Sequence, residues 1–297
     1  MGLAPSQRLW IIGGTQESAA IVRAIARTMT CQFAPHKISP ASYLVSVTTS
    51  AAVSLYPAGT DVWVGQLTPE TLPKFLNESQ IGTILDASHP FATTISELAI
   101  AAAHQYSLPY LRYERPSLTP TPPKCPPIPP DSLASSAPTN LLTVPDYPTL
   151  LTENILAGQR VLLTVGYRAL SLFAPWQARA TLFARILPSA TALAAAQAAG
   201  FEPRRLIAVR PPLTPAFEKA LWQQWQITTV VAKASGVAGG ESVKHQIAQA
   251  LGIQLVIMAR PTLAYPQVTH QLSEAITFAL KICGQSLRSG AKLPDLR

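Results

Sequence analysis

The sequence predicts an α/β protein of two lobes, each a parallel sheet flanked by helices, with a cleft between them. Short runs rich in Val, Ile and Leu alternate with amphipathic stretches of helical period, as a parallel sheet covered on both faces requires. The alternation breaks once, at a proline-rich stretch, and then resumes. A chain of 297 residues also has room for two cores of ordinary domain size.

The elements follow in order. "RLWIIGG" reads as a strand, and residues 16–29 as a helix with Ile21, Val22 and Ile25 on one side. "SYLVSVTT" and "DVWVG" are strands, 69–78 a helix, "TILDAS" a strand and 90–106 a helix, with "PYLRYE" closing the first lobe. In the second lobe "RVLLTVG", "ATLFARIL", "RLIAVR", "ITTVVAK" and "IQLVIMA" are strands. Helices are expected near 167–174, 190–199, 214–225, 240–251 and 270–282. Between the lobes, residues 116–148 carry eleven of the 28 prolines. Proline removes backbone donors and pushes its neighbours to extended conformations, so this stretch is expected to be a linker, neither packed sheet nor helix. The expected division is a first lobe at 1–115, a linker or insert at 116–150, a second lobe at 151–283 and a tail at 284–297.

Composition removes several classes. The net charge is +8, but Lys and Arg are scattered at strand ends without the clustering or aromatic interleaving of a nucleic-acid binder. Such cations suit a small polyanion. Cys31, Cys125 and Cys283 are too far apart and too few for a disulfide framework or a cysteine-based metal site, so no metal is expected. No apolar run is long enough to span a bilayer, and the start lacks a basic segment ahead of a long apolar one. A cytoplasmic protein with no membrane partner is expected. Its oligomeric state is left open, a monomer among the states allowed.

Four loops can carry chemistry. "IIGGTQES" places Gly13, Gly14 and Thr15 between a strand and a helix, where free N–H groups and the positive end of the helix dipole suit a phosphate. A tight turn alone is the plainer reading, because the glycines are adjacent and the spacing is not G-x-G-x-x-G. That turn makes the lobes Rossmann-like and the first a dinucleotide-binding lobe. After the second strand stand Thr48, Thr49 and Ser50 where an NAD site usually offers an acid to the ribose. Hydroxyls tolerate a 2′-phosphate, which leans the expectation to NADPH, with NADH as the alternative.

"ILDASHPFA" sets Asp86 at a strand end, with Ser88 or His89 as N-cap and Pro90 at the first helical position. His89 faces the crevice in this reading and orients or protonates a ligand, aided by Asp86; otherwise Asp86 simply braces the turn. "LRYERP" gives Arg112 and Arg115 for carboxylates or phosphates, unless one of them pairs with Glu114. Finally "VVAKASGVAGGESVK" is a glycine-rich loop before a helix. It fails the phosphate-binding pattern G-x-x-x-x-G-K-[ST], since Glu241 follows Gly240 and His245 follows Lys244. An anion-holding nest with Lys233, Ser235, Gly236, Gly239, Gly240 and Lys244 survives, with Glu241 as a competitor for the anion.

In this order the loops resemble the precorrin-6A reductase family of cobalamin biosynthesis, including its cobalt-precorrin branch. "IIGGTQE", "LDASHPFA", "LPYLRYERP", "VVAKASGVAGGESVK" and "LGIQLVIMARP" carry the resemblance over most of residues 8–261. The family more often has Thr at the position of Ser88. The resemblance implies NAD(P)H-dependent reduction of one carbon–carbon double bond of a contracted tetrapyrrole rich in carboxylates. Gly13, Gly14 and Thr15 would then hold the cofactor pyrophosphate and Thr48–Ser50 the adenosine ribose. Arg112, Arg115, Lys233, Lys244 and Arg260 would grip substrate carboxylates. Without the resemblance, a nucleotide-dependent transferase and a non-catalytic binding protein for an anionic small molecule remain open.

Overall fold

The computed structural model describes residues 8–30, 40–116, 118 and 140–285. They form two compact units, one within Met1–Arg115 and Pro261–Arg297, the other within Pro116–Arg260.

The first unit holds six strands, numbered in chain order: β1 (Arg8–Ile12), β2 (Tyr43–Val47), β3 (Val62–Val64), β4 (Ile81–Asp86), β5 (Tyr110–Tyr113) and β12 (Val268–Thr269). They pair in parallel in the order β3-β2-β1-β4-β5-β12. Successive residues of β1 face opposite sides, as the two-residue period of a strand dictates. Leu9 and Ile11 join the core under α1 (Gln16–Thr30) and α8 (Leu272–Gln285), where Ile21, Val22, Ile25, Ala275, Ala279 and Cys283 are buried. Trp10 and Ile12 face the other core, with Leu76 of α2 (Leu72–Glu78) and Ala99 of α3 (Thr93–Tyr106).

The second unit repeats the plan. Its strands are β6 (Leu141–Val144), β7 (Arg160–Thr164), β8 (Thr181–Ile186), β9 (Leu206–Ala208), β10 (Thr229–Lys233) and β11 (Gln254–Met258). They too are all parallel, in the order β9-β8-β7-β10-β11-β6. Its helices are α4 (Tyr147–Thr152), α5 (Ala190–Ala198), α6 (Pro215–Gln224) and α7 (Glu241–Leu251). Five strands follow the same order in the two sheets, β3-β2-β1-β4-β5 and β9-β8-β7-β10-β11; the sixth, at the same edge, comes last in the chain of the first unit (β12) and first in that of the second (β6). The order reverses between β1 and β4 in one sheet and between β7 and β10 in the other, and a crevice opens at such a point beyond the strand ends.

The sixth strand of each sheet departs from the expected division. β6 lies inside the stretch expected to be a linker, and pairs with β11 from Leu141↔Leu255 to Val144↔Met258. Residues 140–144 contain no proline; the prolines around them hid a short edge strand. α4 follows, starting at the Asp146 cap, whose carboxylate accepts from Thr149 N, and it tolerates Pro148 within its first turn. Residues 117 and 119–139, the bulk of the proline-rich segment, lie outside the described residues, as does 286–297 of the expected tail. At the other end β12 extends the first sheet beyond β5, and α8 packs on α1, so the second lobe does not run to 283. A two-residue strand leaves no periodic signal, which is why β5 read as the closing strand. The segment 167–174 is part of a 3-10 helix, Tyr167–Trp176, with Pro175 inside it.

Candidate functional site

At the reversal point of the first sheet, the loops after β1 and β4 meet. Gly14 turns the chain at φ +90°, a conformation that glycine adopts without strain. A Cβ at Gly13 would lie 2.2 Å from the Tyr56 hydroxyl and 2.8 Å from Val45 Cγ1, so only glycine fits there. Thr15 and Ser18 cap α1 reciprocally: Thr15 N donates to Ser18 Oγ at 3.1 Å, and Ser18 N to Thr15 Oγ1 at 3.1 Å. Thr15 Oγ1 also donates to the carbonyl of Ala87 at 2.7 Å, tying the two loops together. Gly14 N already donates to Tyr56 Oη at 2.7 Å. This corrects the expected use of the turn. The Gly14 N–H and the Thr15 hydroxyl hold the loop, and the N–H groups of Gln16 and Glu17, which lack acceptors within the helix, are what it offers a phosphate. Glu17 itself bends to Arg115, Oε2 to Nη2 2.9 Å, with both residues buried.

Asp86 and Arg112 are not ligand groups in this structure. Asp86 is fully buried and accepts from Ser88 N (3.0 Å), Ser96 Oγ (2.6 Å), Tyr110 Oη (2.9 Å) and Arg112 Nη1 (2.8 Å). Arg112, equally buried, spends Nη1 also on Ser88 Oγ (3.0 Å) and gives Nε and Nη2 to Glu114 Oε2 at 2.9 and 2.8 Å. Burial opposes its charge, but Asp86 and Glu114 outweigh that and hold its pKa above the ordinary value. The expected substrate grip at Arg112 is therefore a core anchor, and Asp86 braces the loop instead of acting on a ligand.

That anchor positions His89. The segment His89–Ala92 makes a turn, Ala92 N donating to His89 O at 2.8 Å, so α3 starts at Thr93 and not at Pro90. His89 Nδ1 accepts from Phe91 N at 3.2 Å, which places the proton of the neutral ring on Nε2. The half-buried imidazole stands on the loop after β4 that Asp86 braces through Ser88 N. Thr48, Thr49 and Ser50, just beyond β2, are exposed and without an acid among them.

In the second unit the glycine-rich loop follows β10 and fills its own nest. Gly236, at φ +69°, donates its N–H to Glu241 Oε2 at 2.7 Å. Glu241 is fully buried, and its Oε1 stands 3.6 Å from His245 Nε2. Lys244 folds back onto the carbonyls of Gly239 (3.4 Å) and Gly240 (3.2 Å) and is also buried. Burial and nearby Arg185 push its pKa down to about 8, against the opposing pull of Glu218 and Glu241. The competitor named in the sequence has won: the expected anion nest at Gly236, Gly239, Gly240 and Lys244 is closed by the chain's own carboxylate. Buried Ser235 turns its N–H to the Lys233 carbonyl at 2.7 Å, and Arg260 donates Nε to the Ala234 carbonyl at 2.7 Å, bracing the loop.

Lys233 is half-buried. At the end of β10 its pKa is lowered, first by burial and then by Arg168. Arg168, exposed in the 3-10 helix Tyr167–Trp176, follows β7, the other strand of the reversal point. Arg168 is one of the cations scattered at strand ends, and its position after Gly166 at a strand mouth was the available signal. Tyr56, Glu17 and Glu218 gave no local signal, because each acts through a partner distant in sequence.

The comparisons with known proteins follow this geometry. The family model described as precorrin-6x reductase CbiJ/CobK matches residues 8–279. A cobalt-precorrin-6A reductase of Synechocystis sp. is 46% identical over 276 residues, covering 91% of this chain and 95% of the relative. Another, from Priestia megaterium, is 32% identical over 77% of this chain and 85% of its own length. A precorrin-6A reductase of Rhodococcus erythropolis is 29% identical over 90% and 94% of the two chains. The solved structure of a CobK precorrin-6A reductase has the same fold, with TM-score 0.68 at 22% identity over 94% of this chain and 97% of that one.

Proposed function

The chain belongs to the precorrin-6x reductase family, and from that premise we propose how its residues serve the reaction. It is an oxidoreductase of cobalamin biosynthesis that reduces a ring double bond of a precorrin-6A-type macrocycle to the 6B form. The observation that carries this is the unbroken match of residues 8–279 to the family. We infer further that the macrocycle carries cobalt, because relatives named for the cobalt form reach 46% and 32% identity and one named for the other form 29%.

The first unit fits a dinucleotide. Its Gly13–Gly14 turn keeps the chain free of a Cβ where α1 begins, and the exposed Thr48, Thr49 and Ser50 suit a 2′-phosphate that an acid would repel. NADPH, bound there, supplies the hydride. The N–H groups of Gln16 and Glu17 would hold its pyrophosphate, with the helix dipole behind them. His89 donates from Nε2 and orients the acceptor, a role its hydrogen bond from Phe91 N supports. Burial first and Arg168 second disfavour the charge of Lys233, and a substrate carboxylate would stabilise it. Phosphoryl transfer is disfavoured, since Glu241 fills the nest that a nucleotide phosphate would need.

The test is anaerobic incubation with NADPH and either cobalt-precorrin-6A or its metal-free form. Oxidation of NADPH with gain of two hydrogens by the cobalt macrocycle is expected. Consumption with neither macrocycle would refute the activity; preference for the metal-free one would refute the cobalt assignment alone.

A further inference from the structure

We propose that Tyr56 is a positioning residue for the dinucleotide, its hydroxyl holding the Gly13–Thr15 turn at a fixed spacing from the segment that bears Thr48, Thr49 and Ser50. The inference rests on the cofactor assignment above and adds a residue which that assignment does not use.

Tyr56 directly follows the 3-10 helix Ser50–Leu55 and is 8% exposed. Its Oη lies 2.7 Å from Gly14 N and 2.8 Å from Ser18 Oγ. Ser18 gives its one hydroxyl proton to the Thr15 carbonyl at 2.8 Å, so Tyr56 is the donor to Ser18 and the acceptor from Gly14. The bonds run one way, from Gly14 N–H through Tyr56 and Ser18 to the Thr15 carbonyl, and every proton has its place.

Gly13 supplies a second line of argument that does not depend on those bonds. Any Cβ there would collide with the same hydroxyl at 2.2 Å, and Val45 behind it is fully buried and has no space to retreat. Tyr56 and Val45 together make Gly13 obligatory, the Tyr56 hydroxyl being the nearer of the two. Besides this hydroxyl, Gly13 N donates to the Ser46 carbonyl of β2 at 2.9 Å, Ala52 and Leu55 pack on the core, and Arg23 Nη1 reaches the Leu55 carbonyl at 3.5 Å. The ladder bond ends at Gly13, apolar packing is non-directional, and a 3.5 Å contact at the surface is weak, so beyond Gly13 the hydroxyl, bonded to Gly14 and Ser18, sets the spacing. Since Tyr56 already occupies Gly14 N–H, it does not compete for the pyrophosphate; it fixes where the Gln16 and Glu17 N–H groups stand.

The experiment compares the wild-type chain with Tyr56→Phe by calorimetric titration with NADP+, by thermal unfolding without cofactor, and by steady-state kinetics. Loss of one preorganising hydrogen bond is expected to raise the Kd for NADP+ and the KM for NADPH together by about tenfold, with a smaller fall in kcat. A Kd within about twofold of wild type overturns the proposal. A fall in kcat and Tm with no change in the balance between KM and kcat overturns it too, since that is the mark of a purely structural residue. Should Tyr56→Phe fail to fold, Gly13→Ala keeps the tyrosine but forces its ring, and with it the hydroxyl, away from the turn; an unchanged Kd in that variant is equally fatal. Failure of the wild-type chain to bind NADP+ is a different result, which removes the cofactor assignment itself and this inference with it.

Discussion

Asp86 and Arg112 meet in the interior of the first unit at 2.8 Å, Oδ1 to Nη1, with side chains 0% and 1% exposed. They join the ends of β4 and β5, which are paired in register at these two residues. Two charges out of water are tolerated because Ser88, Ser96, Tyr110 and Glu114 complete their hydrogen bonds.

Removing one partner strands the other. Asp86→Ala or Arg112→Met is expected to cost about 3–5 kcal/mol in denaturant unfolding, and Asp86→Leu combined with Arg112→Met less than the two single losses together. A single loss under about 1 kcal/mol would show that the pair is not an anchor.

Lys244 gives a pH signature. Its folded pKa of about 8 lies below the unfolded value of 10.5, so between them the unfolded chain binds more protons and stability rises with pH. Above that window the lysine is neutral in both states; below it both states are charged and the full cost of burying the charge remains. Relative to Lys244→Met, wild-type stability should climb by on the order of 3 kcal/mol from pH 8 to 10.5. Parallel stability curves for the two chains across that window would contradict it.

Cofactor choice can be tested at the end of β2. Thr49→Glu places a carboxylate near a 2′-phosphate, and should weaken NADP+ binding by about tenfold or more while sparing NAD+. Equal weakening of both, seen by calorimetry, would mean that the segment does not face the adenosine ribose.

His89→Ala removes a donor at the mouth of β4 without touching the Asp86 anchor. Turnover is expected to drop by about tenfold or more, with the Kd for NADP+ little changed. Normal turnover would assign the ring a purely local role in the 89–92 turn.

Lys233→Ala and Arg168→Ala should each raise the KM for the macrocycle, with less effect as salt is added, because each cation would act on carboxylates through charge. A KM that is unaltered and insensitive to salt would place the substrate elsewhere.

Much of this was legible in the sequence. The apolar runs from Arg8–Ile12 to Gln254–Met258 and the helical periods between them determined the α/β class and most strands, since backbone period and burial are local properties. The glycines before α1 and the order of the loops determined the family. Tertiary structure alone decided the rest. β6 and β12 are edge strands too short or too proline-flanked to carry a period, and their places are fixed by pairing with β11 and β5. It also decided which charges face inward. Arg112, Lys244 and Glu241 look, as residue types, like ligands for an anion or a base; their partners Asp86, Gly240 and Gly236 turn them into struts. A sequence states that a charge exists, whereas only the fold determines whether water or a buried partner satisfies it.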